Sequence, residues 1–211
     1  MNRRGFLSSV PLGSLSLGAL GLLISPAAAK LGKVDVDQIL NDPEAPVAGN
    51  PEGDVTIVAF LDYNCPYCKG TAADLKRIVA TDGKIRLVYK DWPVLAVSSI
   101  YGARLALAAR YQGKYQAAHD ALMAIRGRSA KDEAMREVVE AAGVDVARLD
   151  RDRAVHGSAI DALIKRNKAQ AGALGLQGTP VYLIGPYLVA QALNYEGFTE
   201  VVADFREHIR K

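Results

Sequence analysis

The chain has 211 residues, half of them apolar, a formal net charge of +3, two cysteines, three histidines and three methionines. That length supports one sizeable core without requiring two independent domains, and the near-balanced charge gives no electrostatic case for nucleic acid. Two cysteines with three scattered histidines also fall short of the roughly four ligands that a structural zinc site needs, so no metal is expected.

The N-terminus carries Arg3 and Arg4, an apolar run from Val10 to Ile24 spaced by Gly and Ser, then Pro26 and Ala27 to Ala29. A basic head, a short apolar stretch and small residues at its end describe a removable export signal over residues 1–29. The run falls short of the roughly 20 mostly apolar residues that span a bilayer. Paired arginines before Gly5, Phe6 and Leu7 suit a twin-arginine signal; an ordinary secretory signal and an uncleaved membrane anchor are the alternatives. Losing Arg3 and Arg4 would lower the formal charge from +3 by two, to +1. The expected location is the periplasm.

Within residues 30–211, a polar lead-in (Asp42 to Pro46) precedes Val55 to Leu61, a continuous apolar run that reads as a buried strand. Cys65 and Pro66 follow, and proline is well tolerated in a first helical turn. Leu75, Ile78 and Val79 then form a helical stripe ending near Asp82 and Gly83, and Lys84 to Tyr89 alternates as the next strand. Helical patterning runs from Val97 to about Ala173, with breaks at Gly113, Gly127 and Gly143 and a candidate joint at Gly157. Strand signals return at Val181 to Ile184 and Tyr187 to Val189, and a closing helix is expected from Tyr195 to Ile209. The simplest account is an α/β sheet in two halves, with a helical insertion over about 97–170.

Cys65 and Cys68 are separated by two residues, so a bond between them would close too small a loop to stabilise the chain much. A strand-to-helix junction suits redox chemistry instead: free N–H groups and the helix dipole favour a Cys65 thiolate. Cys65 is therefore expected to exchange with the partner and Cys68, one turn inside the helix, to resolve. Between them, Pro66 stiffens the turn and Tyr67 brings no positive charge, which predicts a less oxidising couple than histidine there would give. Thr179-Pro180 opens a strand and is a candidate cis peptide, the alternative being a trans proline on an edge strand.

Asp62 and Lys90, at the ends of adjacent strands, are candidates for relaying protons to Cys68; the alternative is two solvated charges. Trp92 and Tyr63 would either line an apolar peptide-binding surface or belong to the core. His119 reads as a packing or capping residue, and His156 and His208 as surface histidines.

Four runs, FLDYNCPYCKG (Phe60 to Gly70), YKDWPVL (Tyr89 to Leu95), QGKYQAAHDALM (Gln112 to Met123) and LGLQGTPVYLIG (Leu174 to Gly185), resemble the DsbA family of thiol-disulfide oxidoreductases, and within it the ScsC-like bacterial branch. The resemblance implies a thioredoxin-like fold with a helical insertion, Cys65 as nucleophile, Cys68 as resolving thiol and Thr179-Pro180 as the cis-proline loop. Gln191 departs from the family, where glycine is common. The implied activity is a periplasmic dithiol oxidase acting on unfolded or partly folded exported proteins, reoxidised by a membrane partner of the DsbB type. The cofactor is the Cys65–Cys68 disulfide itself. An isomerase or reductase of the same fold is the alternative, and a Cu(I)-binding or chaperone-like thiol module a remote one. A monomer is expected, unless Val34 to Leu40 serves as an assembly helix.

Overall fold

The computed structural model describes residues 35–210, so the export signal expected over residues 1–29 lies outside the described residues. At the centre stands β2 (Val55–Leu61), which sends Ile57, Ala59 and Leu61 into one core and Val58 and Phe60 into another. Being covered on both faces, it needs apolar side chains at nearly every position. It pairs in parallel with β3 (Ile85–Asp91) from Val55↔Ile85 to Leu61↔Asp91. A parallel pair requires a crossover, supplied by α2 (Pro66–Asp82), which ends at Gly83 with φ 70°.

On its other side β2 pairs antiparallel with β4 (Val181–Ile184), and β4 with β5 (Tyr187–Val189). A short strand, β1 (Val47–Gly49), completes the order β1-β3-β2-β4-β5. This strand falls between the polar lead-in (Asp42 to Pro46) and β2, where the sequence pattern marks no strand. Its end depends on glycine: Gly49 has φ 74°, and a Cβ there would press into the Ile85 carbonyl oxygen.

Between β3 and β4 the chain forms α3 (Val97–Ala109), a 3-10 turn, α4 (Tyr115–Ala124), α5 (Asp132–Ala141) and α6 (Val146–Ala173). The joint anticipated at Gly157 is absent, because α6 runs unbroken for 28 residues. One glycine inside a helix costs about 1 kcal/mol, which burial of Leu149, Ile160 and Leu163 along the same helix outweighs. The insertion shares a continuous core with α2, the sheet and the closing helix α7 (Tyr195–His208). An aromatic group joins insertion to sheet, with the His119 ring centroid 4.5 Å from that of Tyr89. His119 is thus a packing residue, buried and hydrogen-bonded to the Tyr63 hydroxyl at 3.0 Å.

The opposite sheet face is covered by α1 (Val36–Leu40) and by the C-terminal end of α6. Here the structure corrects the relay expected of Lys90. Val88, Lys90 and Trp92 share this face, whereas the cysteines belong to the core on the other. The Lys90 ammonium is fully buried, 3.7 Å from Asp42, whose carboxylate also accepts from Arg166 at 2.7 and 3.0 Å. Burial pulls the Lys90 amine down to about 8, with Asp42 opposing the shift. Trp92 packs edge-to-face on Phe60 and is core, as is Tyr63; neither lines a surface.

Removing one partner of a buried ion pair leaves an uncompensated charge. Asp42→Asn is expected to destabilise the protein by about 3–5 kcal/mol in urea unfolding at neutral pH. Lys90→Met, which leaves Asp42 with Arg166, is expected to cost clearly less.

Candidate active site

Cys65 occupies the N-cap of α2, with φ −75° and ψ 116°, and Pro66 takes the first helical position. The sulfur does the work that serine or aspartate does at most helix starts, accepting the Cys68 N–H at 3.3 Å. Opposite stands the loop before β4, where the Thr179–Pro180 peptide is cis and the Thr179 carbonyl accepts from the Cys65 thiol at 3.2 Å. The structure therefore brings together Cys65, Cys68, Pro66, Thr179 and Pro180 from two distant parts of the chain.

Both thiols are free and nearly inaccessible, Cys65 2% and Cys68 0% exposed. Their difference lies in hydrogen bonding rather than in exposure. The Cys65 thiol is pulled down to about 6, chiefly by the Cys68 thiol donating to it, against burial, with Thr179 and the Cys68 and Tyr67 main chain lowering it further. The Thr179 hydroxyl is buried beside the sulfurs and makes no hydrogen bond among the described residues; the bond that is formed is the one to the Thr179 carbonyl. Cys68 moves strongly the other way, pushed up by burial first and by Cys65 next. One thiol ionises near neutrality while the other keeps its proton and shares it with its neighbour.

Asp62 holds this arrangement in place. One carboxylate oxygen accepts from the Asn64 N–H and the Ser99 hydroxyl, both at 2.7 Å, and the other from the N–H groups of Val94 and Leu95 at 2.7 and 3.0 Å. The carboxylate is thus buried and occupied by four donors, binding the turn before Cys65 to the start of the insertion. Asn64, which the sequence reading passes over, is a second tie: its side chain donates to Ser98 and Ser99 and accepts the Ala130 N–H at 2.9 Å. Lys69 reaches from the first turn of α2 to the Gly127 carbonyl at 2.9 Å. Its position immediately after Cys68 was the available signal for Lys69, whereas the loop it grips lies 58 residues away and no local pattern marks it. Tyr182, buried beneath the cysteines on β4, has a hydroxyl without a hydrogen-bond partner.

Tyr67 is 63% exposed and stands at the lip of a groove of about 600 Å³ floored by Leu174, Leu176, Val181 and Leu188 and bordered by Thr179 and Pro180. An apolar groove beside a reactive sulfur and the cis-proline loop suits an extended polypeptide.

A cysteine capping a helix one turn before a second cysteine, facing a cis-proline loop that leads into an inner strand of a five-stranded sheet, defines a thiol-disulfide exchange protein. The thioredoxin family model matches residues 41–204, and the chain belongs to that family. Among solved structures it is similar to a thioredoxin-like oxidoreductase from Silicibacter pomeroyi DSS-3, with 42% identity, a TM-score of 0.75, and 81% of this chain and 97% of that one covered. The thiol-disulfide exchange protein alpha-DsbA2 from Wolbachia pipientis shares 30% identity at a TM-score of 0.75, over 81% of this chain and 91% of that one. The catalytic domain of Proteus mirabilis ScsC, at 23% identity and a TM-score of 0.72 over 80% and 93%, shares the fold. Among curated proteins, the Na(+)/H(+) antiporter NhaA 1 of Mycolicibacterium gilvum is 27% identical over 147 residues, 68% of this chain. The chain spans only 24% of that protein's length, and no described helix is long and apolar enough to cross a membrane. The protein is a DsbA-like thiol-disulfide oxidoreductase.

Alkylation of the reduced protein should follow the thiolate, rising with a midpoint at about pH 6 at Cys65, while Cys68 stays unmodified through neutral pH. Because the folded-state value lies below the ordinary thiol value, the thiolate's contribution to stability is complete above about pH 9 and is lost as pH falls through about 6. Reduced protein is therefore expected to gain stability relative to Cys65→Ser as pH rises across that window. Asp62→Ala, which leaves buried donors unpaired, is expected to cost about 3 kcal/mol or more in denaturant unfolding of the oxidised form.

Proposed function

We propose that the protein is an exported, monomeric dithiol oxidase that forms disulfides in other exported polypeptides in the periplasm. The observation that carries this reading is the division of labour between the two sulfurs: Cys65 is stabilised as a thiolate and Cys68 is not. In the oxidised protein, a substrate thiolate attacks the Cys65 sulfur and breaks the Cys65–Cys68 bond, and Cys68 departs and takes a proton. The substrate's second thiolate then attacks the substrate sulfur of the mixed disulfide, forming the product disulfide and expelling Cys65. A low-pKa thiol leaves faster, so this last step favours release of an oxidised substrate. Two electrons end on the cysteine pair, with a proton on Cys68 and Cys65 released as its thiolate, and a membrane partner of the DsbB type restores the disulfide by taking those electrons and passing them onward.

The direction of flow rests on how far the reduced form is stabilised. A Cys65 thiol held below its ordinary value stabilises the reduced form and so supports an oxidising couple, and Tyr67 adds no positive charge that would lower that thiol further. A monomer is supported by α1, which buries Ile39 against its own domain and takes a hydrogen bond from Gln170 to the Gln38 carbonyl. Isomerisation, the rival within this fold, is best served by several sites facing one misfolded chain.

The deciding measurement is the reduction potential of Cys65/Cys68, beside oxidation of a reduced, unfolded substrate. A value above about −200 mV is expected; one near about −270 mV, where thioredoxin sits, would overturn the oxidase reading. Cys68→Ser is expected to accumulate mixed disulfides at Cys65, and Cys65→Ser to form none.

A further inference from the structure

A second cleft, of about 420 Å³, shares no lining residue with the apolar groove and also adjoins the cysteine pair, through Pro66 and Lys69. Pro66, Lys69 and Gly70 of the first turn of α2 form one wall, and the segment from Met123 to Arg128 forms the other. Lys69, Arg126 and Arg128 give this cleft three cations, and its lining contains no carboxylate.

Arg126 and Arg128 are exposed, and neither makes an ion pair or side-chain hydrogen bond among the described residues. That separates them from the arginines engaged elsewhere: Arg104 with Asp161, Arg136 with Asp150, Arg166 with Asp42, and Arg206 with Asp54 and Asp82. The cationic loop is also fixed to the redox site. Ala130 donates to the Asn64 side chain, next to Cys65, and Lys69 holds the Gly127 carbonyl, both at 2.9 Å. Met123 and Ile125 supply an apolar floor for the stems of acidic side chains.

We propose that this cleft docks an acidic stretch of the substrate polypeptide adjoining the cysteine that joins Cys65, so that a substrate is read both by its apolar residues and by its carboxylates. The inference rests on the thiol-exchange reading of Cys65. Complementary charge at an exposed site acts mainly on the encounter rate and is screened by salt.

The test uses Cys68→Ser and peptides whose single cysteine is activated as a mixed disulfide with thionitrobenzoate. The Cys65 thiolate attacks the peptide sulfur, the peptide–thionitrobenzoate bond breaks, and the coloured thiolate leaves, so the step balances without another oxidant. Peptides with Glu, Gln or Lys flanking the cysteine, on either side, are compared with a small uncharged activated disulfide. The Glu peptide is expected to react about tenfold faster than the Lys peptide at low ionic strength, with the gap closing at high salt. Adding Arg126→Glu and Arg128→Glu, both at exposed positions, is expected to reverse that order and leave the uncharged disulfide unchanged. Equal rates for all peptides, or an order unaltered by the arginine substitutions, would overturn the inference. So would an equal, arginine-dependent acceleration by glutathione disulfide, which would assign the cleft to a small thiol. Failure of Cys65 to react even with the uncharged disulfide would instead overturn the exchange reading beneath it.

Discussion

A helix that begins on a sulfur atom is the constraint around which this molecule is arranged. Most helix starts satisfy an unpaired N–H with a hard oxygen acceptor. Here the Cys68 N–H turns to Cys65, and that acceptor improves when it carries negative charge. The cap and the ionisation of Cys65 are therefore one interaction: the folded backbone favours the thiolate, and the thiolate favours the folded backbone. Cys68 completes the arrangement by remaining protonated and donating across the gap. Chemistry and stability are coupled at the first turn of α2, so a change of redox state alters the helix start as well as the bond.

For that turn to work, β2, α2 and the Thr179 loop must meet with little freedom, and the insertion contributes to this. Asp62 binds the turn to Val94, Leu95 and Ser99, while Asn64 binds it to Ala130. Helical segments that look like an addition to the sheet are thereby hydrogen-bonded to the residues on either side of Tyr63, immediately before the reactive sulfur. On the far face, Asp42, Arg166 and Lys90 join the N-terminal segment to α6 and β3. Two separate polar clusters, one on each side of the sheet, hold the insertion to it.

Much of this was legible in the chain because it rests on local chemistry. The apolar run from Val55 to Leu61, proline after Cys65 and glycine at position 83 each have one dominant reading, and β2 and α2 lie where those residues imply. The cis peptide at Thr179 was recognisable only from Gly178-Thr179-Pro180 taken together with the Cys65–Cys68 motif, since a proline opening a strand is ordinarily trans. The rest was hidden where the outcome depends on partners distant in sequence. β1 has three residues and exists through its pairing with β3, which no local pattern announces. Gly157 reads as a break because the core that keeps α6 straight is contributed by other helices. Lys90 and Asp62 look like equivalent strand-end charges, yet Lys90 lies within β3 on the face away from the cysteines, whereas Asp62 follows the end of β2 and binds the turn before Cys65. Asn64 gave no sign of its role, since its partner is 66 residues away.

The unbroken course of α6 also bears on how such a protein can change over evolutionary time. One end of this helix packs in the insertion through Leu149, and the other meets the sheet through Asn167 and Ala171 and α1 through Gln170, just before the chain turns to Thr179. Deleting or adding a residue between those ends would rotate one relative to the other by about 100° and shift it by about 1.5 Å along the axis, carrying Thr179 away from Cys65. Within this lineage α6 should therefore vary by substitution and keep its residue count.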